Sequence, residues 1–124
     1  IIRSFDVQKV YKECSGNDSY PMTMIVIRKD FAEQYPSTVR MYLQSCAQSV
    51  GLVNAEPKES SLLVEKHNLG LKATIVEKVI PNAAYDYKSA IDAKKEIEQF
   101  YNLFLEFAPE AIGSALPADD FYFK

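Results

Sequence analysis

The sequence predicts an α+β chain that is predominantly helical, with about five helices and one or two strands. Three observations lead there. Apolar residues recur at i, i+3, i+4 and i+7 in several stretches, which places them on one face of a helix. One run, Met22–Ile27, is apolar except for Thr23 and ends Ile-Val-Ile, the composition of a strand covered on both faces. Prolines and glycines stand where helices start and stop.

The elements follow in order. Ser4 is placed to cap a short first helix carrying Val7, Val10, Tyr11 and Cys14 on one face, and Gly16-Asn17 ends it. "SGNDSYP" is a turn, because Gly and Asn tolerate positive φ and the residue before Pro21 is pushed out of the helical region. The strand Met22–Ile27 comes next. Asp30 and Glu33 have capping-box spacing, so a single helical turn is expected there, stopped by Tyr35-Pro36. Pro36 opens the clearest helix, with Val39, Tyr42, Leu43, Cys46, Ala47, Val50 and Val53 as its stripe. Pro57 opens another, which Gly70 is expected to close as a left-handed cap. "LKATIVEKVI" suits a strand by its β-branched residues, but Leu71, Ile75 and Val79 and the pair Val76/Ile80 recur at helical spacing, which favours a helix stopped by Pro81. "PNAAYDYKS" is an extended link. Ser89 with Asp92 caps the last long helix, whose apolar face is Ala93, Ile97, Phe100, Tyr101, Phe104 and Ala108. The tail from Phe107 is too apolar to float and is expected to lie along the helices.

A strand alone is not a sheet. Each buried backbone group left unpaired costs on the order of 1–3 kcal/mol, so Met22–Ile27 requires partners, and no second confident strand lies within the chain to supply them.

At 124 residues the chain is read as a single unit, 1–124, long enough to bury a core. Its net charge of −3 excludes the basic face that nucleic-acid phosphates need. No apolar run approaches the roughly 18–20 residues of a membrane helix. It opens Ile1-Ile2 without an initiator Met, the mark of a processed or excised piece. Cys14 and Cys46 are expected to be free, buried thiols that pack as small hydrophobes, with a disulfide as the alternative.

Catalytic patterns are thin. His67 is the single histidine and sits in the last turn before Gly70, where carbonyl ends favour it, so no Ser-His-Asp triad can be argued. The four glycines form no phosphate-cradling motif. Asp119-Asp120 reads as solvated surface rather than a metal site, and Glu96 and Glu98 point different ways on one helix. The chain is therefore expected to bind rather than catalyse, with no cofactor and no metal. Tyr20, Tyr85 and Tyr87 lie in irregular segments, where a tyrosine offers a small-molecule cleft an apolar ring and a polar tip; plugging gaps between helices is the plainer role.

From about Tyr20 onward the chain resembles the later part of solute-binding proteins of ABC importers, of the sulfonate, taurine and nitrate type. The resemblance rests on the apolar strand, Lys29-Asp30-Phe31 with Pro36, the long helix, and Asn54, Pro57 and Glu59; Gly113, Pro117, Asp119, Phe121 and Tyr122 match some family endings. Ser114 departs from the pattern where a second glycine is expected, and the long helix has no tryptophan. The resemblance implies two α/β lobes closing on a ligand, with this chain the C-terminal portion and a partial lobe of the type II periplasmic-binding-protein fold. Met22–Ile27 would then join the sheet of the first lobe. It further implies an extracytoplasmic protein, periplasmic or a membrane-anchored lipoprotein. Such a protein delivers a small polar or anionic solute to an ABC permease. By position, Tyr20, Asn82 and Tyr85 are the expected ligand contacts. A strand without its sheet leaves an exposed edge, so the chain alone is expected to form a homodimer through Met22–Ile27. Two alternatives stand beside this reading: a helical protein-interaction module, and an enzyme resembling thiamin-precursor synthases on the same fold.

Overall fold

The computed structural model describes residues 5–124. The described residues form six α-helices and three short 3-10 turns, with no strand among them. The predominantly helical expectation is met; the strand is not. Two compact units emerge, one made of the chain up to Ile27 together with Ser89–Lys124, the other of Arg28–Lys88.

In the first unit, α1 (Val7–Ser15) is capped by Asp6, whose Oδ1 accepts the Gln8 and Lys9 amides at 3.0 and 3.3 Å. The expected cap, Ser4, lies outside the described residues. Gly16, at φ 74°, donates its N–H to the Lys12 carbonyl and ends the helix in a left-handed cap. The predicted apolar face of α1 is not buried: Val7 and Val10 are exposed and only Tyr11 is partly covered. Cys14 is likewise exposed, which corrects its reading as a buried thiol. Cys46 is half-buried, and both are free.

Helix α6 (Ala90–Phe107) begins as its sequence dictates. The Ser89 hydroxyl accepts the Asp92 amide at 3.2 Å and donates to Asp92 Oδ2 at 2.6 Å. Ser89→Ala is expected to cost about 1 kcal/mol, read as a lower urea midpoint, while Ser89→Asn leaves it nearly unchanged. Ile97 is the buried anchor of the helix. One turn on, Phe100 packs edge-on against Phe104. The tail follows through the 3-10 turns Pro109–Ile112 and Asp119–Phe121 and packs along α6 as expected. It buries Tyr122, 3% exposed, and pairs Asp119 with Lys94 at 2.5 Å.

Met22–Ile27 is extended and lies in the first unit, yet it is neither paired nor covered. Met22 and Val26 are 83% and 79% exposed. Among the described residues its backbone makes no hydrogen bond, and its one polar tether runs from Tyr101 Oη to Met24 Sδ at 3.7 Å. The expectation of a strand buried on both faces is corrected on physical grounds. Pro21 and β-branched residues hold the backbone extended, but a ladder needs a second strand, and the described residues contain none.

In the second unit, α2 (Lys29–Gln34) starts without a side-chain cap, so the expected Asp30/Glu33 capping box is absent; Arg28 holds the cap position and ion-pairs with Asp30. Pro36 and Pro57 open α3 (Pro36–Ala55) and α4 (Pro57–Lys66) at their first positions, as their fixed φ and missing N–H predict. Helix α4 ends at Lys66, four residues before the expected glycine. Asn68, at φ 53°, takes the left-handed position, while its N–H reaches Glu65 O and that of Leu69 reaches Val64 O, the Schellman pairing. Gly70 also has positive φ but lies beyond the cap.

Helix α5 (Ala73–Val79) confirms the helical reading of "LKATIVEKVI" and passes into a 3-10 turn, Ile80–Asn82, that contains Pro81. Its first amide, that of Ala73, is satisfied from α4 by Glu65 Oε2 at 2.9 Å. The core of this unit is small: Val39, Ser61, Ala73, Val76 and Ile80. Ser61 and Ala73 carry little bulk, which lets α4 and α5 pack closely, and the Ser61 hydroxyl is satisfied by Lys58 O at 2.6 Å.

The chain leaves 9818 Å² accessible. Two separate globules of about 7 kDa would together leave only about 8,000 Å². Much of the excess is apolar, with Leu62, Leu63, Leu69, Leu71, Ile75 and Val79 each about half-exposed or more.

Candidate functional site

The three residues expected to touch a ligand divide between the units. Tyr20 belongs to the first, and Asn82 and Tyr85 to the second. Each already has a structural task.

Tyr20 closes an aromatic cluster. Its ring stacks on Phe100 at 5.4 Å between centroids with 20° between planes, and meets Tyr11 edge-on at 5.0 Å. Tyr11 also meets Phe100 at 6.2 Å. The contact joins the turn after α1 to the middle of α6, and aromatic pairs in such geometries are each worth about 0.5–1.5 kcal/mol beyond burial. The gap-filling role thus accounts for the Tyr20 ring.

Asn82 is exposed on the 3-10 turn, and its side-chain amide donates to the Lys78 carbonyl at 3.1 Å, satisfying the end of α5. Tyr85 is half-exposed, and its carbonyl accepts from Asn54 Nδ2 at 2.8 Å. That bond fastens the link to α3. Eight residues earlier on α3, the Cys46 thiol interacts with the Tyr42 hydroxyl one turn before it and raises that phenol above its ordinary value of 10.0. Tyr87 is also raised, by burial first and by Cys46 second. The link therefore meets α3 at Asn54. Ala84, at φ 50°, turns the chain into it.

Sequence reasoning placed Tyr85 and Tyr87 in a link but did not find their anchors. The available signal was Asn54, a polar residue directly after the last member of the apolar stripe, Val53.

The remaining chemistry is surface chemistry. His67 is exposed at the C-cap of α4, as its position before the turn predicts. Lys94 is held by Asp119 and by Glu98 at 3.7 Å, and lies 5.2 Å from the centre of the Tyr122 ring. Asp119 accordingly stays ionised below its ordinary range, through its hydrogen bond and charge contact with Lys94. Among the described residues no group of three or more His, Cys, Asp or Glu side chains is arranged to hold a metal ion. None of the described helices is long and apolar enough to cross a membrane. A depression in the first unit, between Tyr11, Asn17 and Asn102, is shallow and open to solvent.

No family model, curated protein or solved structure matches the chain.

Proposed function

We propose that this chain is the C-terminal portion of an extracytoplasmic solute-binding protein of an ABC importer, a partial lobe of the type II periplasmic-binding-protein fold. In this reading it binds a small polar or anionic solute without catalysis and hands it to a membrane permease. The supporting observation is Met22–Ile27: an extended, apolar segment without a backbone partner among the described residues, in the form a strand takes when its sheet is supplied from elsewhere. The large apolar surface of the chain fits the same reading, since a lobe is covered by the rest of its protein.

In this reading Asn82 and Tyr85 contribute ligand contacts from the second unit. The bond from Asn54 that fixes the Tyr85 backbone leaves its ring half-exposed and available.

The test uses the complete two-lobed protein with taurine, short alkanesulfonates and nitrate. A ligand at a hundred times its Kd stabilises by about 2.7 kcal/mol, so one of these solutes is expected to raise the melting temperature by several degrees. Tyr85→Ala is expected to weaken that binding roughly tenfold, a loss of about 1.4 kcal/mol. In the same protein the Met22–Ile27 amides are expected to exchange slowly as part of a sheet. Fast exchange there, with no response to any small anion, would remove the proposal.

A second reading, a helical protein-interaction module, draws on the lack of strands among the described residues and on the exposed stripe Leu71, Ile75 and Val79 along α5. That reading needs Met22–Ile27 to be part of a helix, and the segment is extended.

A further inference from the structure

An extended segment with open backbone groups is a template for another strand. Met22–Ile27 is open on both faces as well: Met22, Met24 and Val26 on one side and Ile25 on the other are all exposed. We propose that two copies of this chain associate by antiparallel pairing of Met22–Ile27 with itself about Met24, Met22 standing opposite the partner's Val26 and Met24 opposite the partner's Met24.

Three features select this occupant and this direction. The segment is bounded on both sides. Pro21 lacks the N–H that would extend a ladder, and α2 begins at Lys29, so a six-residue strand pairs fully only with one of matching length. Apart from Thr23 its side chains are apolar, so pairing two copies covers like with like.

The flanks then decide the direction. Asp18 lies before the segment, and Arg28 and Lys29 after it. Antiparallel pairing brings Arg28, the extended residue just past the ladder, toward the partner's Asp18, within reach of its long side chain. Parallel pairing would instead set Asp18 beside the partner's Asp18 and Arg28 beside the partner's Arg28. The pairs these residues make within one copy, Asp18 with Lys12 and Arg28 with Asp30, are solvent-exposed and of the weak kind that exchanges readily.

The test is the mass of the 124-residue chain in solution, measured by light scattering from one to a hundred micromolar. The expected result is passage from the 14.0 kDa chain to twice that mass. Val26→Lys, at a position 79% exposed in the single copy, is expected to keep the helical circular dichroism and to weaken the dimer at least tenfold. Met22→Lys, at 83% exposed, serves should that variant fold poorly. A nitroxide on Ser19→Cys, with Cys14→Ser and Cys46→Ser, is expected to give spin–spin distances of about 35–40 Å for antiparallel strands and under about 10 Å for parallel ones.

A monomer throughout overturns the proposal. So does a dimer indifferent to both lysine variants, including one dissolved instead by Ile75→Lys on the exposed face of α5. A short nitroxide distance overturns the antiparallel register. Self-pairing is tested on this chain and transport on the two-lobed protein, so either can fail while the other stands.

Discussion

Replacing Ile80 by alanine is expected to unfold Arg28–Lys88 while leaving α6 intact. Ile80 is 5% exposed in a core that otherwise consists of Val39, Val76 and the small residues Ser61 and Ala73. Truncating a buried isoleucine to alanine costs about 2–5 kcal/mol, from the lost transfer free energy and the cavity left behind. A unit of roughly 60 residues holds only about 3–9 kcal/mol in total. The substitution therefore removes much or all of its stability. Hydrogen exchange followed by mass spectrometry is the suitable measurement. Protection is expected to vanish across α3, α4 and α5 and to persist in α6. Leu62→Ala, at a position 55% exposed, is the control and is expected to change little. Equal loss from both substitutions would mean that the small core is not what holds the unit together.

The second large effect has the opposite sign. Tyr122→Phe is expected to stabilise the first unit. Tyr122 is 3% exposed, and its hydroxyl meets no hydrogen-bonding group of the described residues. A buried hydroxyl without a partner costs about 1–3 kcal/mol, whereas the ring itself packs against Phe121 and under Lys94 and is kept by phenylalanine. A gain of about 1 kcal/mol corresponds to roughly 4–8 °C in melting temperature for a domain of this size. The same hydroxyl has a pH signature. Burial, reinforced by Glu98, raises its pKa above the ordinary 10.0, so the folded state holds the phenolic proton more tightly than the unfolded state does. Its contribution is fully present below pH 10 and is lost as pH rises through the folded value. Tyr122→Phe is expected to flatten that part of the alkaline decline, while Tyr42 and Tyr87 continue to titrate in the other unit. A lower melting temperature for Tyr122→Phe would mean that the hydroxyl is satisfied after all.

What the sequence made legible was local. Pro36, Pro57 and Ser89 act at helix starts through their own φ, missing N–H or side-chain oxygen, so neighbours a few residues away suffice to read them. The helical spacing of Leu71, Ile75 and Val79 and of the pair Val76/Ile80 was correct about helicity, but of these two stripes only the pair, with Ala73, is buried. Periodicity identifies a stripe and cannot say which stripe meets a neighbour when both are apolar. The same limit explains Val7, Val10 and Cys14, which have the spacing of a buried face yet are exposed, while Tyr11 alone of that face meets Phe100. Gly70 was chosen as the left-handed cap because glycine carries no Cβ penalty, yet Asn68, a residue that tolerates the left-handed region, reached that position first. Among the candidate site residues, Tyr20 and Asn82 were found by position, but their actual bonds, to Phe100 and to Lys78, depend on how segments meet. The anchoring of Tyr85 by Asn54 across 31 residues was beyond any local signal.

The division of the chain has a consequence for its synthesis. Arg28–Lys88 is continuous and leaves the ribosome complete, whereas the other unit waits for Ser89–Lys124. At about 5–20 residues per second that wait lasts a few seconds. Throughout it, Tyr11 and Tyr20 have no Phe100 to stack on, and the greasy stretch ahead of Arg28 is already outside the exit tunnel. Newly made copies on one messenger are thus at their stickiest before α6 emerges, which makes this interval the natural moment for a chaperone to hold the nascent chain.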